Sequence, residues 1–259
     1  RTERSMASRH GVLAVCSFVQ SDALLTHTID TFASDADLYL VPVQPGVPVP
    51  EMAEPYLASR KLGLAPELFE PCKKWRSVER VLDHLSLERY DYMIAPDDDL
   101  EFPPAFLSRF LGLLEAYDIA LGQPALTADS FHSWPICVQQ PDTVLRFTNF
   151  VEVMTPCFRR DALRHLRGTL RSDISPMGYG FDLHWAYACR DAGFQMGIVD
   201  DTPISHRVRP VGRHYAGDDL HGQGYAYGRI HPRILAHEIC EVGRIPRPTI
   251  STSHPHPPA

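Results

Sequence analysis

The chain has 259 residues, 44% hydrophobic and 22% charged, an ordinary balance for a soluble globular protein of one large domain or two small ones. Its 32 acidic and 25 basic residues give a formal charge of −7, which argues against a nucleic-acid polyanion as the main partner. No apolar run approaches the ~20 residues needed to cross a bilayer, and RTERSMASRH lacks the apolar core of a signal peptide.

In chain order, residues 1–10 read as a disordered or vector-derived leader, 11–245 as one catalytic domain and 246–259 as a disordered Pro/His-rich tail. Val12 to Phe18 (VLAVCSF) is a continuous apolar run of the kind found in strands buried on both faces, and Asp37 to Val43 is a weaker one. The proline-rich PVQPGVPVPEMAEP then reads as a rigid connection. Val78, Val81, Leu82 and Leu85 have helical spacing over Ser77 to Leu85, and Tyr92 to Ala95 is a strand ended by Pro96. Pro103 and Pro104 open a helix whose stripe is Phe106, Leu107, Phe110, Leu111 and Leu114. Ile119 to Leu121 and Phe150 to Met154 read as strands, and Asp161 to Leu170 as a helix. The turn MGYGFD leads into a helix over Leu183 to Asp191, and Met196 to Val199 is the last core strand. The glycine-rich GDDLHGQGYAYG reads as a loop able to close over a ligand, or as plain surface. This alternation of strands and helices predicts an α/β sandwich with a mostly parallel central sheet flanked by helices. Cys16, Cys72, Cys137, Cys157, Cys189 and Cys240 stand singly with no C-x-x-C pair, as expected of reduced thiols in a cytoplasmic protein.

The chemistry concentrates in YDYMIAPDDDLEF, where an apolar strand ends in Asp97, Asp98 and Asp99. Like charges so close raise one another's pKa values unless a cation joins them, and ligands of parallel sheets sit beyond the strands' carboxyl ends. A calcium EF-hand loop would need glycine where Phe102 stands, and the aspartyl phosphatase pattern would need Thr or Val at Glu101. Nucleotidyltransferases carry a glycine-rich loop after the first strand, but Ser17-Phe18-Val19-Gln20 has none, and a P-loop is absent. What remains is the D-x-D of sugar-nucleotide-dependent glycosyltransferases, where Mg²⁺ or Mn²⁺ takes one or two carboxylates plus diphosphate oxygens.

The ordered set YDYMIAPDDDL, ALGQPAL, FVEVMTPCFRRDAL, GYGFDLHWA and IVDDTPISH resembles the GT-A superfamily of glycosyltransferases, and more closely an uncharacterised family of predicted GT-A enzymes with a D-x-D motif. The resemblance spans Val12 to His214. It implies a GT-A-like, Rossmann-like fold, a nucleoside-diphosphate sugar donor (UDP-sugar foremost), Mn²⁺ or Mg²⁺ as cofactor and a saccharide or glycoconjugate acceptor. Carried onto this chain, it makes Asp97 and Asp99 metal ligands, with Asp98 between them in the donor site and His206 completing the metal shell. Imidazole would favour Mn²⁺ over Mg²⁺. A surface-loop histidine is the plain alternative for His206. Asp182 would be the general base of an inverting enzyme, with His184 beside it and Trp185 as a stacking surface; a simple helix N-cap is the alternative. Lys73, Lys74 and Arg76, and Arg207, Arg209, Arg213 and His214, are candidates to meet the diphosphate, or else solvated surface. Glu152, alone among apolar neighbours, would face the acceptor or pair with an arginine, and Trp134 would line an acceptor groove or pack in the rim. The competing functions are a non-catalytic nucleotide-sugar or carbohydrate-binding protein and a metal-dependent phosphatase or nucleotidyltransferase. Peripheral membrane association would follow a lipid-linked acceptor.

Overall fold

The computed structural model describes residues 10–19, 23–65, 69, 71–210 and 220–248. Strands β1 (Val12–Phe18), β2 (Asp37–Pro42), β3 (Tyr92–Ile94), β4 (Ile119–Leu126), β5 (Thr143–Thr148), β6 (Cys157–Arg159), β7 (Gln195–Ile204) and β8 (Glu241–Pro246) form one sheet in the order β2-β1-β3-β6-β4-β7-β5-β8. Side chains alternate across β1 as the period of a strand requires. Val12, Ala14, Cys16 and Phe18 face α1 (Ala23–Phe32) and α4 (Phe106–Ala116), burying Leu25, Ile29, Phe32, Phe106 and Phe110. Leu13 and Val15 join the opposite layer, made by α3 (Lys74–Asp83), α5 (Arg160–Leu166) and α6 (Phe181–Ala192), with Ala58 of the short α2 (Ala58–Lys61). The helix stripe expected at Phe106, Leu107, Phe110, Leu111 and Leu114 is buried throughout.

The α/β layering holds, but the sheet is mixed rather than mostly parallel. Six strands point one way; β5 and β6 run against them, so β3–β6, β4–β6, β5–β7 and β5–β8 are antiparallel. The β1–β2, β1–β3 and β4–β7 pairs are parallel. Only three residues of PCFRR, Cys157 to Arg159, form the reversed strand β6, too short for an alternation pattern to announce it.

Three further expectations change. Phe150 to Met154 is not a strand: the pairing belongs to Thr143–Thr148, while Phe150 and Val151 are buried in the connection that follows. Met196 to Val199 is not the last strand, because β8 pairs with β5 beyond it. The described part of the glycine-rich run is α7 (Leu220–Ile230), a helix rather than a loop. Its glycines give it poor intrinsic propensity, and tertiary packing supplies what they lack. Tyr227 is fully buried, its ring 5.0 Å from that of Phe181 and its hydroxyl donating to the Thr169 carbonyl at 2.9 Å.

Candidate active site

The three aspartates follow β3 at the carboxyl ends of the parallel strands, where Asp97 bridges to Ser17 beside the end of β1. Each meets protein cations. The Lys74 ammonium, from the first turn of α3, donates to Asp97 Oδ1 at 2.7 Å and to the carbonyls of Val153 and Met154, both at 2.7 Å. Arg209 bridges the other two, with Nη2 on Asp98 and Nε on Asp99 Oδ2 at 2.9 Å. The Val19 amide donates to Asp98 Oδ2 at 2.8 Å. Burial pushes Asp98 up to about 6 against the pull of Arg209. Burial also raises Asp97, outweighing Lys74. In Asp99 the order reverses: burial is overcome by His206 and Arg209, and the pKa falls below the usual carboxylate range.

His206 lies just past β7 and is buried. Its Nδ1 stands 2.9 Å from the Phe131 carbonyl and its Nε2 3.1 Å from Asp99 Oδ2. A carbonyl is only an acceptor, so Nδ1 carries a hydrogen and Nε2 is left for a proton or a metal ion. Burial would lower this imidazole's pKa, but Asp99 overrides it and raises it.

Asp97, Asp99, His206 and Arg209 line one end of a cavity of about 820 Å³, and Asp182 and Glu152 line it too. Asp182 opens α6 and takes the Leu183 amide on Oδ1 at 2.9 Å; burial raises its pKa to about 7, with backbone donors opposing. Glu152 reaches about 7 as well, through burial and then the charge of Asp182. Tyr179, Tyr225, Leu235, Met177 and Leu183 supply an apolar wall. The path of the chain here depends on glycine. Gly178 has a φ of 85°, and a Cβ on it would lie 2.2 Å from the Trp75 indole nitrogen.

Other expected site residues fall elsewhere. Lys74 is committed beneath Asp97. Arg76 is exposed and pairs with Glu79 at 3.4 Å, and neither it nor Lys73 lines the cavity. Arg207 joins Glu101 and Asp129 at the surface. Arg213 and His214 lie outside the described residues. Trp185 offers no stacking surface: it is fully buried among Trp75, Phe158 and Phe181. Phe181, Trp185 and Cys189, four residues apart, form the buried stripe of α6, a spacing that the sequence displays. Trp134 does line the cavity, its ring 5.2 Å from that of Phe150. Glu152 has no arginine or lysine partner among the described residues, and its Oε2 meets no donor. The glycine-rich run expected to close over a ligand or to be plain surface lines the cavity through His221, Gly222, Gly224 and Tyr225 of α7, whereas Ile234 and Leu235, which join that wall, carry no signal in the sequence because packing alone brings them there.

Among the described residues, no three His, Cys, Asp or Glu side chains stand together as a set that could hold a metal ion. Asp97, Asp99 and His206 line the same cavity, but Asp97 is held by Lys74, and Asp99 by His206 and Arg209. Their donor types, two carboxylates and an imidazole with its far nitrogen on a carbonyl, are of the kind a divalent cation accepts beside diphosphate oxygens.

Residues 137–225 match the model of a family described as "protein of unknown function (DUF707)". Comparison with curated protein sequences finds no match. Among solved structures, the chain is similar to GalNAc-T7 with UDP, GalNAc and Mn²⁺, at a TM-score of 0.57 and 10% identity, covering 86% of this chain and 48% of that one. It is also similar to glucosyl-3-phosphoglycerate synthase from Mycobacterium tuberculosis with Mn²⁺, UDP-glucose and phosphoglyceric acid, at a TM-score of 0.50 and 16% identity, covering 89% and 81%. The chain thus spans about half the length of GalNAc-T7. These likenesses establish a GT-A glycosyltransferase fold.

Proposed function

We propose that the protein is a metal-dependent glycosyltransferase that moves a sugar from a nucleoside-diphosphate sugar, UDP-sugar foremost, to a hydroxyl of a saccharide or glycoconjugate acceptor. The observation that carries this reading is Arg209. Its guanidinium is buried beside the acids that line the cavity, and among the described residues its Nη1 has no partner, while Nε and Nη2 hold Asp99 and Asp98. An unpaired buried donor on a guanidinium that lines a cavity calls for an anionic oxygen, and a phosphate supplies one. Structural neighbours with UDP and Mn²⁺ support the same reading.

Asp97, Asp99 and His206 would hold Mn²⁺ or Mg²⁺, with the imidazole favouring Mn²⁺. When bound, such an ion neutralises charge that grows on the departing nucleoside diphosphate. Lys74 fixes Asp97, Arg209 orients Asp98 and Asp99 and offers Nη1 to the diphosphate, and the apolar wall excludes water that would hydrolyse the donor. Asp182, raised to about 7 by burial, is suited to take the acceptor's proton near neutral pH. Six unpaired cysteines suit a cytoplasmic setting. No described helix is long and apolar enough to cross a membrane.

The test is thermal unfolding with UDP and UDP-sugars, with and without Mn²⁺, alongside an assay for UDP release. A ligand at 100 times its Kd stabilises the fold by about 2.7 kcal/mol. The shift should require metal and vanish in Asp99→Ala, while Asp182→Asn should keep the shift and lose on the order of 10²-fold or more in transfer. Binding without UDP release under any acceptor would make the protein a binding module, and no shift with any nucleoside diphosphate would end the transferase reading.

A further inference from the structure

Glu152 sits in the connection between β5 and β6 with 6% of its surface exposed, yet it lines the cavity. Its backbone N–H donates to the Gln123 side chain. The Cys137 thiol, a weak donor, is the side chain that favours its ionised form most. Among the described residues, Oε2 meets no donor. The largest charges that bear on it are of its own sign, from Asp182 and Asp97, with His206 opposing. A buried carboxyl oxygen without a donor is rare in a native fold, and here it belongs to a residue that lines a cavity.

We infer that Glu152 reads the sugar: its carboxyl pairs with a hydroxyl of the sugar carried into the cavity, and so selects an uncharged, polyhydroxylated ring over one that bears a carboxylate. The inference rests on the proposed function and adds to it the class of group transferred. A hydroxyl both donates and accepts, so it complements this carboxyl whether ionised or protonated. The terminal torsion of a glutamate is broad, so Oε2 can turn toward a ligand without leaving its rotamer. A uronate in the same place would meet Glu152 together with Asp182 and Asp97, whose charges already disfavour a further anion at Glu152. Val153, Met154 and Leu183, beside Glu152 and Asp182 in the wall, offer apolar surface to the carbon face of a ring.

The experiment compares affinities, in Mn²⁺, for UDP, UDP-glucose, UDP-galactose, UDP-N-acetylglucosamine, UDP-N-acetylgalactosamine and UDP-glucuronate. At least one neutral UDP-sugar should bind more tightly than UDP, and UDP-glucuronate should not. Glu152→Gln should lose about tenfold in the affinity that the sugar adds, and Glu152→Ala at least as much. UDP itself should bind both variants as it binds wild type, a split that a merely structural residue would not produce and that also shows the variants folded. Equal sugar contributions in wild type and variants, or preference for UDP-glucuronate, would overturn the inference alone. Failure of every nucleoside diphosphate to bind wild type would overturn the proposed function and this inference with it.

Discussion

Asp200, on β7, and Glu152, in the connection from β5 to β6, are 0% and 6% exposed, and each brings a carboxyl that burial penalises. Around Asp200 the chain assembles strong donors. Arg146 gives Nε to Oδ2 at 2.8 Å and Nη2 to Oδ1 at 2.9 Å, and the Gln140 amide reaches Oδ1 at 2.7 Å. The same guanidinium holds the carbonyls of Ile136 and Val138, tying the 135–140 segment to the sheet. Around Glu152 there is a thiol and an empty oxygen. One carboxyl is part of the scaffold's own wiring; the other keeps its bonding capacity in reserve at the cavity. Removing charge should therefore have opposite consequences at the two places.

The largest effect is expected at Asp200→Asn. It keeps the shape of the side chain but strands Arg146, 1% exposed, without its counter-charge. Breaking a buried pair from one side costs about 3–5 kcal/mol, or a fall in Tm of roughly 10 °C for a chain of this size. Urea unfolding of the variant checks this, and a loss under about 1 kcal/mol would mean that the pair does not bear on stability. Replacing both partners by apolar residues of similar volume should recover most of the loss.

At Glu152→Gln the sign should reverse. Burial raises the folded-state pKa from 4.5 to about 7, so the folded protein keeps this proton longer than the unfolded chain does. That contribution is whole below the unfolded pKa, shrinks as pH climbs from there, and is gone above about pH 7. At pH 8 the wild type should stand up to about 3 kcal/mol below Glu152→Gln, and near pH 4 the two should converge. Tm against pH for both proteins gives the difference curve, in which the shared titration of Asp182, raised to about 7 by its own burial, largely cancels. A variant less stable than wild type at pH 8 would show that Glu152 has structural partners after all.

How far the sequence displays this contrast depends on distance along the chain. The acidic end of β3, the apolar face of α4 and the isolation of Glu152 are local patterns and can be read directly. The compensation is not local. Lys74 lies 23 residues before Asp97, and Arg209 lies 110 after Asp99. Spacing alone could nominate these two but could not say that Lys74 is buried under an aspartate while Arg76, two residues on, faces water. Strand direction is hidden for a related reason, since β6 offers only three residues before α5 begins. Trp185 shows a legible signal set aside: its spacing with Phe181 and Cys189 marks a core stripe, whereas proximity to Asp182 suggests a site.

The smallest expected effect probes the thiol beside Glu152. Cys137 is fully buried, and burial together with the charge of Glu152 pushes its thiol pKa well up, so it remains S–H. A thiol is a poor donor and a hydroxyl a better one. Cys137→Ser should thus favour the ionised carboxylate and lower the pKa of Glu152 by a fraction of a unit, moving the pH at which stability begins to be lost in the same direction. The Tm difference between Cys137→Ser and the double variant Cys137→Ser/Glu152→Gln, followed from pH 4 to 9, isolates that movement. A midpoint unchanged or displaced upward would mean that burial and Asp182 alone set this carboxyl's affinity for its proton, and that the thiol merely fills space beside it.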